Sequence, residues 1–210
     1  IGAVAQEKGK LIEVLPPNGL AVLNEDDAYV KPMAQHCRAH IEFFRDKGLE
    51  NSQAIAIIIG QFYKIEDHLI EKGLKNIEKL PQRMQWLRVK NGCTIIDDSY
   101  NANPLSIRLA LDVLEKQKGR RVAILGQMAE LGDYTAQAHQ EIAQLGRQKA
   151  DKVILVGQAF KGLASDWFEN STICAQKISR LINSNDIVLI KGSRSTAMEK
   201  IVEALKNVKT

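Results

Sequence analysis

Thr94-Ile95-Ile96-Asp97-Asp98-Ser99-Tyr100-Asn101-Ala102-Asn103-Pro104-Leu105-Ser106 is the stretch whose reading decides the fold. It opens on β-branched apolar residues, the pattern of a buried strand. Two carboxylates and small polar residues then lead into a helical pattern through Ile107, Leu111 and Leu114. Asn103 is the expected N-cap and Pro104 the first helical residue, where its missing N–H costs nothing. In open α/β sheets, ligands bind beyond the carboxyl ends of strands, where this loop falls. The free N–H groups of a helix start favour an anion, and Asp97 or Asp98 can accept bonds from ribose hydroxyls or hold a metal. A plainer reading stands beside it: a capped strand–helix turn in which one Asp serves the backbone.

Downstream, the same alternation repeats. Strands are expected at Arg121–Leu125, Lys152–Val156 and Asp186–Ile190, and helices at Pro104–Gln117, Thr135–Lys149 and Ser195–Lys206, with a short helix after Gly157. Alternating strands and helices predict right-handed crossovers and a mainly parallel sheet with helices on both faces. Ile95, Ile96, Val122, Ile124, Val153, Leu155, Ile187 and Leu189 are its expected core. In a parallel sheet the loops after these strands share one rim. Gly126 to Asp133 is a long loop with two glycines and two acids, fit to lie over a ligand or simply to connect. Lys191-Gly192-Ser193-Arg194-Ser195 places two cations at a strand end and a helix start, against the preference of helix N-termini for acidic neighbours. An anionic ligand is the expected offset. His139, inside a helix, reads as a surface or packing residue rather than a base.

Upstream the pattern is less regular. Val4 to Leu15 has helical spacing, stopped by Pro16-Pro17-Asn18-Gly19. Leu20–Leu23 and Ile41–Phe44 read as short strands, and Asn24-Glu25-Asp26-Asp27 as a solvated loop. His36 and His40 lie four apart on a candidate helix but lack further metal ligands. Polar Asn51-Ser52-Gln53 runs abruptly into apolar Ala54–Gly60, a helix body without an approach that would also permit a strand. Glu66–Leu74 is an amphipathic helix. Pro81–Trp86 supplies a break and a strand, which divides the chain into 1–82 and 83–210.

Composition narrows the classes. The 210 residues are 45% hydrophobic and 26% charged, enough for one large domain or two small ones. The net charge of +4 comes from interspersed acids and bases, so nucleic acid is not indicated. Cys37, Cys93 and Cys174 have no C-x-x-C spacing, which suits free thiols in a reducing cytosol. The longest apolar run is too short to span a bilayer. The start, Ile1-Gly2-Ala3-Val4, has neither initiator Met nor a signal-peptide plan and reads as the middle of a longer protein. No G-x-x-x-x-G-K-[ST] loop occurs. A receiver domain would need an Asp at the end of its third strand, and Gly126-Gln127-Met128 and Val156-Gly157-Gln158 supply none. From the residues alone the reading ends at an α/β domain with an anionic, nucleotide-like ligand at its rim.

Three rim segments in order, D-D-S-Y-N-A-N-P-x-S at 97–106, L-G-x-M-x-E-L-G at 125–132 and K-G-S-R-S at 191–195, resemble the C-terminal domain of the Mur ligases. Lys8-Gly9-Lys10 and Leu15–Asp26 resemble the latter part of that family's central ATPase domain. The resemblance implies a Rossmann-like C-terminal domain at 83–210, preceded at 1–82 by an incomplete ATPase domain. It further implies a cytoplasmic, monomeric ligase of peptidoglycan synthesis that uses ATP and Mg2+ to join D-alanyl-D-alanine to UDP-MurNAc-tripeptide. Lys8 then matches a lysine that is carbamylated to bind metal. Arg83 matches an interdomain arginine that reaches the nucleotide, and Asp98 a carboxylate on its ribose. Tyr100 and Asn101 belong to the same nucleotide-facing motif, while Lys191, Ser193 and Arg194 match a substrate-facing loop.

Departures accompany the match: Gln127 stands for the usual Asp, and Lys10 for the usual Glu. The family's P-loop and its G-x-H-N-x-x-N segment are absent, the latter where Gln53 meets Ala54. Residues missing at 53/54 are the expectation, and the chain alone is not expected to hydrolyse ATP. A sister Mur ligase or a folylpolyglutamate synthase-like ligase is the alternative within enzymes, and a non-catalytic nucleotide-binding module the alternative outside them.

Overall fold

Alternation in the strands of the C-terminal half buries both faces of one sheet. Ile95, Val122, Ile124, Ile154, Val156, Val188 and Ile190 belong to one core layer, and Ile96, Ala123, Leu125, Leu155 and Leu189 to the other. Such two-sided burial is what near-continuous Val/Ile/Leu strands of a parallel sheet require. The computed structural model describes residues 2–45, 51–76, 80–90 and 92–207. It divides into two compact units, Ile1–Glu78 and Lys79–Thr210, which places 79–82 with the second unit. There the Gln82 carbonyl accepts from the Tyr100 amide at 3.1 Å.

The second unit holds a six-stranded sheet. Its strands are β3 (Gln85–Arg88), β4 (Thr94–Asp98), β5 (Arg121–Gly126), β6 (Lys152–Val156), β7 (Trp167–Phe168) and β8 (Ile187–Lys191), in the spatial order β3-β4-β8-β5-β6-β7. All neighbours are parallel except β3, an antiparallel edge. Helices α4 (Pro104–Glu115) and α5 (Thr135–Lys149) cover one face through Ile107, Leu111, Leu114, Ile142 and Ala143. Helices α6 (Ser171–Lys177) and α7 (Glu199–Lys206) cover the other through Cys174, Ile201, Val202 and Leu205. The expected core is buried at Ile95, Ile96, Val122, Ile124, Leu155 and Leu189, and Val153 and Ile187 pack partly buried at its border.

Local chemistry sets α4 as expected. The Asn103 side chain accepts from the Ser106 amide at 2.8 Å, the Ser106 hydroxyl accepts from the Asn103 amide at 3.1 Å, and Pro104 follows the cap. The last third of the chain differs in places from the sequence expectation. The helix expected from Ser195 is a short 3-10 turn, Arg194–Thr196, broken by left-handed Ala197 before α7 begins at Glu199. The short helix expected after Gly157 is a 3-10 turn at Gln158–Phe160, with the seven-residue α6 further on. β7 between them was not read, because a two-residue strand carries no periodicity.

The first unit holds α1 (Gly2–Glu13), β1 (Leu20–Asn24), β2 (His40–Phe44), α2 (Asn51–Phe62) and α3 (Asp67–Lys75). β1 and β2 form a two-stranded parallel sheet. The ambiguous apolar run is helical, and α2 passes unbroken through Gln53–Ala54. At Gly60 a Cβ would lie 2.6 Å from the Ile70 side chain, so glycine is what lets α3 approach α2. His36 and His40 do not share a helix: His36 closes a 3-10 turn and His40 opens β2. Asp27 serves the loop, accepting from the Tyr29 and Val30 amides. Among the described residues, no helix is long and apolar enough to cross a membrane.

Candidate active site

Parallel register brings the two rim motifs together. Asp98 ends β4 directly beside Lys191, which ends β8. Lys191 Nζ donates to Asp98 Oδ2 at 2.5 Å and to the Asn101 carbonyl at 2.9 Å. Their side chains are 4% and 14% exposed, so the pair is withdrawn from water. Asp98 Oδ1 accepts from the Met84 amide at 3.0 Å, which ties the segment before β3 to the end of β4. Asp97 points to the opposite face and is buried, accepting from the Ser99 amide at 3.1 Å and the Ser99 hydroxyl at 2.6 Å. Burial pushes the Asp97 carboxyl above its ordinary range, and the Ser99 bonds oppose this. Both aspartates thus serve the backbone. The anion that offsets Lys191 is Asp98 itself.

The K-G-S-R-S and L-G-x-M loops interlock beneath the rim. A Cβ on Gly192 would lie 2.9 Å from Gly126 Cα, and one on Gly126 would lie 2.6 Å from the Met198 sulfur. Only glycines permit that approach of the two strand ends. Buried Ser193 accepts from the Ala129 amide at 2.7 Å, and its own amide donates to the Gln127 carbonyl at 3.1 Å. Thr196 Oγ1 donates to the same carbonyl at 3.1 Å. From α5, buried His139 accepts from the Met128 amide at 2.9 Å. Sequence reasoning missed Gln82, Met84, His139 and Thr196. Gln82 and Met84, with φ of 62° and 48°, hold left-handed backbone that nothing in their residue types announces.

Other groups face outward. The Arg83 guanidinium lies 4.3 Å from the centroid of the Tyr100 ring. Arg194, with its side chain 61% exposed, donates to Gln82 Oε1 at 3.2 Å and lies 3.6 Å from Glu199. Leu80, Pro81, Gln82, Arg83, Tyr100 and Arg194 line one open depression. Exposed Asn101 turns its side chain back onto the Ala102 amide at 2.9 Å. The structure therefore gathers Arg83, Asp98, Tyr100, Asn101, Lys191, Ser193 and Arg194 on one rim. Lys8 lies in the first unit, exposed on α1.

The family described as Mur ligase, glutamate ligase domain, matches residues 82–194, more than half of the chain. The chain belongs to the Mur ligases. The UDP-N-acetylmuramoyl-tripeptide–D-alanyl-D-alanine ligase of Escherichia coli strain K12 is 26% identical over 253 residues, covering 98% of this chain and 56% of that protein. Crystal structure I of MurF from Acinetobacter baumannii matches this Mur ligase chain with a TM-score of 0.83 at 23% identity, covering 98% of this chain and 55% of that one. MurF from Thermotoga maritima in complex with ADP matches at 0.80 and 19% identity, covering 97% and 56%. These two likenesses concern the fold. The chain spans little more than half the length of the curated relative. The 253 matched positions exceed this chain's 210 residues, so the E. coli protein carries residues inside the matched span that this chain lacks.

Fit to a nucleotide is supported by the outward cations and the aromatic ring, which suit phosphate and purine. Among the described residues, no group of three or more His, Cys, Asp or Glu side chains could hold a metal ion.

Proposed function

We propose that the protein is an ATP-dependent ligase that joins D-alanyl-D-alanine to UDP-MurNAc-tripeptide in the cytoplasm, as a step of peptidoglycan synthesis. The observation that carries this reading is the family match over 82–194, which spans the first two rim motifs and reaches Arg194 of the third. The name of the E. coli relative supports the choice of substrates.

The chemistry accounts for such a rim. A carboxylate is a poor electrophile, so the tripeptide carboxylate attacks the γ-phosphorus of ATP and ADP leaves. The dipeptide amine attacks the resulting acyl phosphate, the amide forms, and phosphate leaves. Mg2+ would neutralise the phosphates, with ligands beyond those this chain gathers. What the chain itself supplies is positioning and positive charge. Arg83, Tyr100 and Arg194 offer exposed groups to the nucleotide and substrate. Asp98 keeps free lone pairs for a ribose hydroxyl, and Asn101 lies on the same rim. Lys191 and Ser193 act from beneath, holding Asp98 and the 127–129 backbone in place. Lys8, when carbamylated, would add a metal ligand from the first unit.

We further propose that residues are missing between Gln53 and Ala54, and that residues 1–210 alone do not turn over ATP. One observation supports this, the excess matched length, although α2 runs without a break from Asn51 through Gln53 and Ala54. An intact mass well above 23.4 kDa is expected for the parent protein, and a mass near it would refute the gap.

Phosphate release by the full-length protein tests the function, with ATP, Mg2+, UDP-MurNAc-tripeptide and D-alanyl-D-alanine each omitted in turn. Release that needs both the tripeptide and the dipeptide is expected. A folded, complete protein that releases none is not this ligase.

A further inference from the structure

His139 is fully buried, and each ring nitrogen meets a backbone group. Nε2 lies 2.9 Å from the Met128 amide nitrogen, and Nδ1 lies 2.6 Å from the Thr135 carbonyl oxygen, one helical turn back. An amide N–H can only donate and a carbonyl can only accept, so the partners dictate a lone pair on Nε2 and a proton on Nδ1. The Phe160 ring meets the imidazole edge-on, with the ring centroids 4.6 Å apart. A buried polar side chain costs free energy unless it is satisfied, and packing alone would be served by leucine.

What the imidazole holds is the rim loop. Each amide of 127–129 is bound by a different element: Gln127 donates to the Val156 carbonyl, Met128 to His139 and Ala129 to Ser193. Glu130 follows in left-handed backbone, φ 62°, a conformation that persists only where its surroundings over-determine it.

We propose that His139 is a positioning residue for the rim: as the Nδ1-protonated tautomer it holds the Met128 amide and, together with Ser193 on the Ala129 amide, sets the height of the 127–130 loop against the bound ligand. The geometry stands independently of the ligase reading; the catalytic consequence rests on it.

Imidazole 15N spectra of the 210-residue chain give the tautomer, and amide exchange gives the grip on the loop. A protonated Nδ1 and bare Nε2 are expected, and the reverse overturns the proposal. His139→Leu should accelerate exchange of the Met128 amide about tenfold while the Ile124 amide is unmoved, in keeping with loss of one buried hydrogen bond. His139→Gln, which returns an acceptor near the Nε2 position, should restore the protection. Unchanged protection in His139→Leu overturns the clamp. Where the Leu variant does not fold, His139→Phe, which likewise offers no acceptor, takes its place, and unchanged protection of its Met128 amide overturns the clamp. In the full-length ligase, His139→Leu should lower kcat about tenfold with KM for ATP within about twofold, and His139→Gln should recover it. A loosened loop with unchanged kcat overturns the positioning role. If the wild-type protein has no ligase activity, the proposed function fails while the tautomer and exchange results still decide the clamp.

Discussion

The two units are built from similar elements, yet they bury very different amounts of apolar surface. In the second, helices on both faces enclose two core layers. In the first, Ala21 and Leu23 are the only buried apolar side chains among the described residues, apart from the glycine at 60. Val4, Leu11, Val14, Tyr63 and Leu69 stand exposed there, at 48–75% of their full areas. A two-stranded sheet by itself encloses no core; it needs further strands or a covering helix. Among the described residues, α2, which packs on β1 and β2, is the cover it has. The contrast shows that regular secondary structure and a complete fold are separate attainments.

Dissection should break the comparison most visibly. Residues 80–210 alone are expected to unfold in one cooperative transition by circular dichroism and calorimetry, whereas 1–76 alone should show none. A sharp, cooperative melt of 1–76 would mean that its apolar faces find cover in each other after all. Core truncation should sharpen it. Ile124→Ala removes a fully buried side chain and should cost about 2–5 kcal/mol in urea unfolding. Ile57→Ala, at a side chain 38% exposed in α2, should stay within about 1 kcal/mol.

Breaking the rim pair comes next. Lys191→Met leaves Asp98 charged, mostly buried and unpaired, at a cost of about 3 kcal/mol. Adding Asp98→Asn should return part of that loss, because the stranded charge is then gone. Equal destabilisation by the single and double variants would mean the pair is already solvent-screened.

The smallest effect is one of pH. Burial pulls the His139 imidazole below its ordinary 6.5, and the Thr135 carbonyl partly opposes this. Since the folded value is depressed, the unfolded chain binds the proton first on acidification. The stability contribution is therefore complete above about pH 6.5 and is lost as pH falls through the folded value. The denaturation midpoint of the second unit should decline over that window, and His139→Gln should flatten the decline. A slope unchanged in the Gln variant would place the titration elsewhere.

How much was legible in the residues follows from the range of the forces involved. Thr94–Ile96 announced a buried strand and Asn103-Pro104 a capped helix start because both depend on neighbours within four positions. The same short range made α5 readable from end to end and left two-residue β7 unread. At the rim, residue types pointed to the right loops but not to their inner bonds. Lys191 and Arg194 read alike as cations awaiting an anion. One proved buried on Asp98, and the other lies largely in solvent.

Period and capping thus settled the class of the fold and the order of its elements, and the three motifs pointed to the family. Only the tertiary structure decided which charges cancel, which glycines touch and which histidine holds the rim. Asp98 and Lys191 lie 93 positions apart, on two strands that only the crossovers make neighbours. Strand order, which no pattern within one segment encodes, is what set them side by side.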